Sequence, residues 1–405
     1  MVDAEETGNG PKQGSREFDV VLFGASGFVG ELTARYLAAH APRACRWALA
    51  GRSEQKLKAV RDRLAEAHPD AADLPLVTAD AADARATAEL AARSRVVAST
   101  VGPYLRYGTR LVAACAEAGT DYLDLSGEPE FVDLMYLRHH SRAQETGARL
   151  VHACGFDSVP HDLGAHFTVR HLPEGVPLSV DGFVRSNAAV SGGTFASALL
   201  AFSRADRMVR TARARHAADP RPADRSVRTP TGGVRREEEL GVWAVPLPTI
   251  DPQIVGRSAA ALERYGPAFT YRHYAAVRRL PTAVGGIAGA GGLFAAAQLP
   301  PLRRFLTSRL ASGEGPDERR RARSWFSVRF IGRGGGRRVV TEVAGGDPGY
   351  DETAKILAEA ALCLTHDDLP PTSGQVTTAV AMGDALTARL VRAGLEFRVL
   401  EDSEV

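Results

Sequence analysis

Phe18-Asp19-Val20-Val21-Leu22-Phe23-Gly24-Ala25-Ser26-Gly27-Phe28-Val29-Gly30, running directly into Glu31-Leu32-Thr33-Ala34-Arg35-Tyr36-Leu37, combines an apolar run of strand length with three glycines at three-residue intervals. Helix-forming residues with apolar spacing follow at once, so the order reads as strand, tight turn, helix. The chemistry of such a turn is anion binding. Glycine lets the backbone turn sharply and lets a diphosphate approach the main-chain amides, and the positive end of the helix dipole favours that anion. The spacing Gly-x-x-Gly-x-x-Gly is a variant of the Gly-x-Gly-x-x-Gly dinucleotide fingerprint. Gly24, Ala25, Ser26, Gly27, Phe28, Val29 and Gly30 are therefore the expected cradle.

A second apolar run, Arg46-Trp47-Ala48-Leu49-Ala50-Gly51, ends in Arg52 and Ser53. An NAD-binding chain would place an acid there for the ribose hydroxyls. A guanidinium pairs instead with a 2′-phosphate, with Ser53 and Lys56 as helpers, so NADP(H) is the expected cofactor. A solvated arginine at a strand end is the competing reading of Arg52. The glycine turn and Arg52 together outweigh it.

The totals suit two domains. The chain has 405 residues, 50 Lys and Arg against 48 Asp and Glu, and a formal net charge of +2. Such a balance creates no large field that would argue for nucleic acid. The four cysteines, Cys45, Cys115, Cys154 and Cys363, show no Cys-x-x-Cys pairing, which argues against a zinc site or a disulfide scaffold and suits buried thiols in a reducing cytoplasm. No metal is expected. Residues 1–17 are polar, without the apolar core of a secretory signal, and read as a disordered tail.

Strand and helix signals then alternate. Ser53 starts a helix with Leu57, Val60 and Leu64 on one face; Leu74 to Asp80 reads as a strand whose final acid suits either a turn or a place beside adenine. The run Arg95 to Ser99 leads into Thr100-Val101-Gly102-Pro103-Tyr104, expected near the nicotinamide because strand carboxyl ends line the ligand crevice. A helix over 108–119, a strand from Asp121, a helix over 129–146 and a strand from Arg149 complete six strand-like runs. The expected fold class is α/β, a Rossmann-type doubly wound sheet over 18–175, with a second α+β domain over 176–369 carrying an antiparallel or mixed sheet. In that second part Leu178 to Val184 reads as a strand, Ser191 to Thr194 as a helix start, and 324–331 with 338–343 as an antiparallel pair. The arginine-rich stretch from Arg207 to Arg236 reads as a solvated surface or mobile loop. Tyr350 to Leu364 reads as an amphipathic helix, Val376 to Ala393 as a last helix and Leu395 to Leu400 as a last strand. Residues 370–405 are expected to pack back on the first domain.

Residues 282–300 form an apolar run rich in glycine and alanine, followed by Arg303, Arg304 and Arg309. Its length approaches a membrane span, but its hydrophobicity is weak. Three readings stay open: a lid over an apolar substrate, an element leaning on a membrane or carrier protein, and a true span.

The turn Gly24 to Gly30, Ala50-Gly51-Arg52, Val101-Gly102-Pro103-Tyr104, Tyr122 to Glu128 and Gly155-Phe156-Asp157-Ser158-Val159-Pro160 together resemble the saccharopine-dehydrogenase-like oxidoreductases. Gly155 to Gly164 and the closing segments Gly374-Gln375-Val376 and Glu396-Phe397 are similar to the trans-acting enoyl reductases of actinobacterial polyketide and lipid pathways. The resemblance covers nearly the whole chain beyond the tail. It implies a cytoplasmic NADPH-dependent reductase that saturates an enoyl thioester carried by coenzyme A or a carrier protein, with a polyketide synthase as partner. A homodimer and a peripheral membrane contact are further expectations.

Such a reduction needs a hydride at the β-carbon, stabilisation of the enolate and a proton for the α-carbon. The candidates at the crevice are Tyr104, Asp157, Ser158 and His161. Each has a structural reading beside the catalytic one: Tyr104 as a wall on the cofactor, Asp157 and Ser158 as helix caps, His161 as a structural histidine. Two rival functions stay open. One is imine or amine oxidoreduction, for which Arg106 and Arg185 would hold substrate carboxylates. The other is a non-catalytic NADP-binding scaffold attached to lipid.

Overall fold

Phe18–Phe23 (β1), buried at every position, is a central strand of a seven-stranded sheet whose pairings are all parallel. Burial on both faces is what a parallel sheet covered by helices requires. The computed structural model describes residues 16–188, 197, 199–200, 202–219, 224–299, 302 and 315–404. The first sheet also contains Trp47–Gly51 (β2), Leu76–Thr78 (β3), Ser94–Ser99 (β4), Asp121–Asp124 (β5), Arg149–Val151 (β6) and Gly374–Val376, in the order Gly374–Val376, β6, β5, β4, β1, β2, β3. The order reverses between β1 and β4, and that switch point opens the crevice at their carboxyl ends.

The helices sort by the alternation of the strands. Val20, Leu22, Leu49 and Val96 face Leu37 of Phe28–His40 (α1), Leu57 of Glu54–Ala67 (α2), and Leu357 and Leu364 of the helix Asp351–His366. Val21, Phe23, Ala48 and Val97 face Leu90 of Ala84–Arg93 (α3) and, beyond the short helix Tyr104–Tyr107 (α4), Val112 of Thr109–Ala118 (α5) and Phe131 of Pro129–Thr146 (α6). The three layers are thus written in the two-residue period of β1.

The second sheet is mixed. Its main path runs Glu396–Glu404, Arg337–Gly345, Phe326–Gly334, Leu178–Ser186, Ala268–Val277, Val242–Pro246, Arg235–Glu237, with Ser226–Arg228 added alongside Ala268–Val277. Leu178–Ser186 and Ala268–Val277 pair in parallel, whereas Phe326–Gly334 and Arg337–Gly345 form the expected antiparallel hairpin. Val159–Val169 (α7) lies against this sheet and against the helix Asp251–Ala261. Within α7, Asp162 is fully buried, accepting hydrogen bonds from Ser258 Oγ, Thr378 Oγ1 (2.7 Å) and the Ala379 amide (2.8 Å). One carboxylate therefore joins three segments that are far apart in sequence.

Several expectations are corrected. The last strand, Glu396–Glu404, does not return to the dinucleotide sheet but pairs with Arg337–Gly345, so of 370–405 it is Gly374–Val376 that joins β6. The single helix expected over 376–393 is broken into Thr378–Ala381 and Gly383–Arg392. Asp351–His366 is buried on nearly every face and packs with α1 on the first sheet, so the boundary expected at residue 369 does not separate the layers. The arginine-rich stretch is not a free loop throughout. It contains most of the helix Ala205–Ala218, where Arg215 is buried 3.2 Å over the Tyr136 ring and paired with Asp219. The four cysteines are free and buried. Of the expected tail, 1–15 lies outside the described residues, as do the helix start at 191–194 and Arg303, Arg304 and Arg309; Glu17 pairs with Arg93 at 2.6 Å.

Removing the Asp162 carboxylate leaves Thr378 and the Ala379 amide buried without the acceptor they share, with Ser258 left only Thr377 Oγ1. Asp162→Ala is expected to cost about 3 kcal/mol of stability, read from urea denaturation followed by circular dichroism. A loss below ~1 kcal/mol would contradict the junction described.

Candidate functional site: a dinucleotide crevice beside a buried carboxylate network

The turn after β1 separates structural from available groups. The amides of Gly24 and Ala25 are taken by the Ala50 carbonyl (2.8 and 3.2 Å), and that of Gly27 by the Gly24 carbonyl (2.9 Å). What remains for an anion is the first turn of α1, from Phe28 to Gly30, whose amides have no acceptor within the helix. Gly24 adopts φ +92°, and a Cβ there would come 2.6 Å from both Thr100 Oγ1 and Val101 Cγ2. A Cβ on Gly30 would overlap the Gly24 carbonyl oxygen, so these two glycines let the helix seat on the turn. Gly27 differs. A Cβ there meets only Gly24 O, at an ordinary 3.4 Å, so the fold itself tolerates a side chain and the vacant space faces the crevice. The arrangement fits a diphosphate.

Arg52 is exposed just beyond β2, and no carboxylate pairs with it among the described residues. Ser53 caps α2 by accepting from the Lys56 amide at 3.4 Å, and Lys56 is exposed on the first turn. Asp80 forms a turn through the Ala82 amide (2.8 Å). Beside it opens a groove of ≈ 590 Å³ lined by Ala81, Ala82, Arg106, Tyr107, Thr109 and Arg110. Arg106 lies over the Tyr107 ring there, and Arg185 lies over Trp325 in the second sheet, so these two arginines form no cluster. Phe28 packs edge-on against Tyr350 at 5.1 Å.

The next crevice wall is built from the ends of β4, β5 and β6. Thr100 Oγ1 hydrogen-bonds to the Gly24 carbonyl (3.1 Å), and the Val101 amide donates to Ser99 Oγ. Gly102-Pro103 leads into α4, whose Tyr104 and Leu105 amides donate to the Glu128 carboxylate at 2.9 Å each. Tyr104 is 5% exposed; its hydroxyl donates to Ser99 O and accepts from the Leu125 amide, both at 3.1 Å. Its proton is therefore committed to the scaffold, and the geometry gives Tyr104 the wall role rather than that of an oxyanion donor. Deeper still, Asp124 accepts from His152 Nδ1 (2.7 Å) and from the Ser126 and Ala153 amides, which ties the loops after β5 and β6 together.

The loop from β6 brings the remaining three candidates together. Ser158 has φ +118°, a strained conformation for a residue with a side chain, and it stands before α7 without capping it. Its hydroxyl donates to Asp251 Oδ1 at 3.1 Å. Asp251 Oδ2 accepts from Thr249 Oγ1 at 2.5 Å, His161 Nδ1 lies 3.1 Å from Oδ1, and His273 Nε2 lies 3.4 Å from Oδ2. Tyr271 OH is 2.9 Å from His273 Nδ1. Burial would raise the Asp251 carboxyl, but His161, His273 and Thr249 outweigh it and hold it well below the usual carboxylate range. Burial lowers His273 to about 4. His161, Asp251 and His273 have the residue types of a metal site. Both carboxylate oxygens, however, already accept from hydroxyls, which makes the set a hydrogen-bonded network.

Asp157 stands at the open edge of this network, half-buried, and a Cβ on Gly127 would meet its Oδ2 at 3.2 Å. Burial first, and the negative charge of Asp251 second, push its carboxyl up to about 6 against the opposing effect of His161. The Phe156 amide is anchored to Thr353 Oγ1 at 3.0 Å, so the loop is held from the far end of the chain. Thr249, Asp251, Tyr271 and His273 escaped the sequence reading. Asp251 precedes a proline at a helix start and reads as a cap. His273 could have been found, because Phe269, Tyr271 and His273 share the buried phase of their strand.

A doubly wound sheet with a glycine-spaced turn after β1, an exposed arginine just beyond β2 and a mixed second sheet suits an NADP-dependent oxidoreductase. A family model for the saccharopine dehydrogenase NADP binding domain matches residues 20–151. A Mycobacterium tuberculosis protein assigned provisionally as a trans-acting enoyl reductase is 41% identical, the match covering 95% of this chain and 97% of that protein. A Mycobacterium ulcerans trans-acting enoyl reductase is 38% identical over 94% of this chain and 97% of its own length. Among solved structures, saccharopine dehydrogenase (L-Glu forming) from Saccharomyces cerevisiae aligns with 95% of this chain and 100% of that one at 12% identity, with a TM-score of 0.48. The chain belongs to the trans-acting enoyl reductase family, and its cofactor is NADP(H).

The two kinds of glycine are separable. Gly27→Ala is expected to keep the wild-type melting temperature while weakening NADPH binding, whereas Gly30→Ala lowers both, by about 1–3 kcal/mol in stability; thermal melts beside fluorescence titration distinguish them. Arg52→Ala is expected to weaken NADPH about 10- to 100-fold and NADH little, because only NADPH carries the 2′-phosphate. Equal weakening of both nucleotides would remove Arg52 from the site.

Proposed function

We propose that this protein reduces the carbon–carbon double bond of an enoyl thioester, using NADPH, on an acyl chain carried by a polyketide or lipid synthase partner or by coenzyme A. The observation that carries the reading is the similarity of 38–41% over nearly the whole chain to trans-acting enoyl reductases. The diphosphate would rest on the first turn of α1, the 2′-phosphate on Arg52 with Ser53 and Lys56, and the nicotinamide half beside Thr100–Pro103. When bound, NADPH supplies a hydride to the β-carbon.

The protein's part is to position the thioester and deliver a proton. As the β-carbon gains its hydride, the electron pair of the double bond moves toward the thioester carbonyl as an enolate. The α-carbon then takes the proton of Asp157, and the product is saturated. Asp157 suits this step because burial and Asp251 keep its carboxyl up at about 6. It is not fully buried, which lets solvent return the proton. Ser158 and His161 face Asp251 and act behind Asp157, holding the loop in its strained form rather than touching substrate. The imine or amine alternative lacks the paired arginines that a substrate with carboxylates would need, since Arg106 and Arg185 are each stacked on an aromatic ring in different parts of the fold.

The test follows NADPH absorbance with enoyl thioesters of increasing length beside cyclic imines. Turnover of the thioesters is expected, and consumption with imines alone would overturn the proposal. Asp157→Asn is expected to lower kcat by about 10²- to 10⁴-fold with NADPH affinity unchanged. Since the acid must be protonated, wild-type kcat/KM should fall as pH rises through about 6, and the variant should lose that step.

A further inference from the structure

The helix Leu280–Gln298 carries no charged residue, has a mean hydropathy of 1.4, and is long enough to cross a bilayer. Its middle is uncovered. Leu280 and Val284 are 42% and 57% exposed, and added methyls at Gly285, Gly286, Gly289, Gly291 and Gly292 would meet no neighbour within 4 Å. A helix with no polar face is ordinarily hidden in a core or in lipid, and the described residues of this one from Leu280 to Gly292 are all exposed. At 1.5 Å per residue it is about 28 Å long. Both of its ends are nevertheless held by the same body: it follows the strand Ala268–Val277 directly, and near its other end Ala297 is buried while Gln298 Nε2 donates to Phe202 O at 2.7 Å. It therefore lies on one side of the molecule rather than passing through a membrane.

Charge selects what covers it. Arg278 and Arg279 are exposed immediately before the helix, and no carboxylate pairs with them among the described residues. Arg278 and Arg329 are close enough to Arg185 that, after burial, their charges lower its pKa; Arg185 lies 5.7 Å over the ring of Trp325, which is 39% exposed. The sequence places Arg303 and Arg304 shortly after the helix. A second copy of the chain packed parallel, helix against helix, would bring Arg278 and Arg279 against their own copies, a repulsive juxtaposition. An anionic headgroup layer accepts Arg278 and Arg279, the tryptophan at the interfacial level and the uncharged helix beneath it.

We propose that Leu280–Gln298 is an interfacial docking helix by which the protein rests on an anionic lipid surface. The proposal stands apart from the assignment of the reaction. The test is co-sedimentation of the full chain with vesicles of phosphatidylglycerol and phosphatidylcholine against pure phosphatidylcholine vesicles. Binding to the anionic vesicles is expected, weakening with added salt. Val284→Glu with Ala288→Glu should abolish it, and Arg278→Glu with Arg279→Glu should weaken it about tenfold or more, with melting temperatures unchanged. Should the double glutamate variant lose its fold, the arginine pair alone decides. Absence of binding, equal binding to both vesicle types, or an Ala288-dependent dimer in sedimentation velocity without vesicle binding would each overturn the proposal.

Discussion

Two carboxylates removed from water, Asp162 on α7 and Asp251 at the start of the helix that packs on it, hold this molecule together where its two sheets meet. A buried carboxylate is costly unless hydrogen bonds satisfy its oxygens. Asp162 is satisfied by Ser258, Thr378 and the Ala379 amide, and Asp251 by Ser158 and Thr249 with two histidines alongside. Asp162 is satisfied only once the helix Asp251–Ala261 and the C-terminal segment have docked, and Asp251 reaches Ser158 and His273 only when the loop after β6 and the second sheet come together. The requirement to satisfy them fixes how the crevice closes.

Strain at Ser158 follows from that constraint. Its φ of +118° is retained because its hydroxyl is drawn to Asp251 while its amide stays bonded to Phe156 O. The result turns Asp157 toward the loop after β5 instead of burying it with its neighbours. Position and protonation are thus linked: burial raises the Asp157 carboxyl first, and the charge of Asp251 that organises the loop raises it further. On the nucleotide side the logic is steric rather than electrostatic. Gly24 and Gly30 allow β1, α1 and the end of β4 to meet within van der Waals contact, leaving the first-turn amides of α1 pointing outward.

Much of the first sheet was legible from local pattern. The apolar strand runs, the glycine spacing and the cap at Ser53 are short-range signals, and each produced the expected element. The chain's end was harder to read. Asp351–His366 looks amphipathic by composition but is covered on both sides, since α1 and the first sheet flank it. The final strand carries little apolar alternation, because as an edge strand of the mixed sheet it is largely exposed, and its place is decided by pairing with Arg337–Gly345. Arg215 looks solvated in a run of arginines, yet the Tyr136 ring and Asp219 receive it.

By itself the sequence determined the doubly wound sheet and the tight glycine-spaced turn between its first strand and helix. These depend on residues adjacent in the chain, where backbone freedom, strand period and helix dipole act over a few positions. Only the tertiary structure decided which polar groups are spent and which are free. Tyr104 and Ser158 look equally available in the sequence, but the fold commits the hydroxyl of one to Ser99 and of the other to Asp251. Asp251 and His273 gain their meaning from burial next to each other and, for Asp251, to Ser158 and His161 about ninety residues before it, where a dielectric lower than water turns proximity into a shifted protonation state.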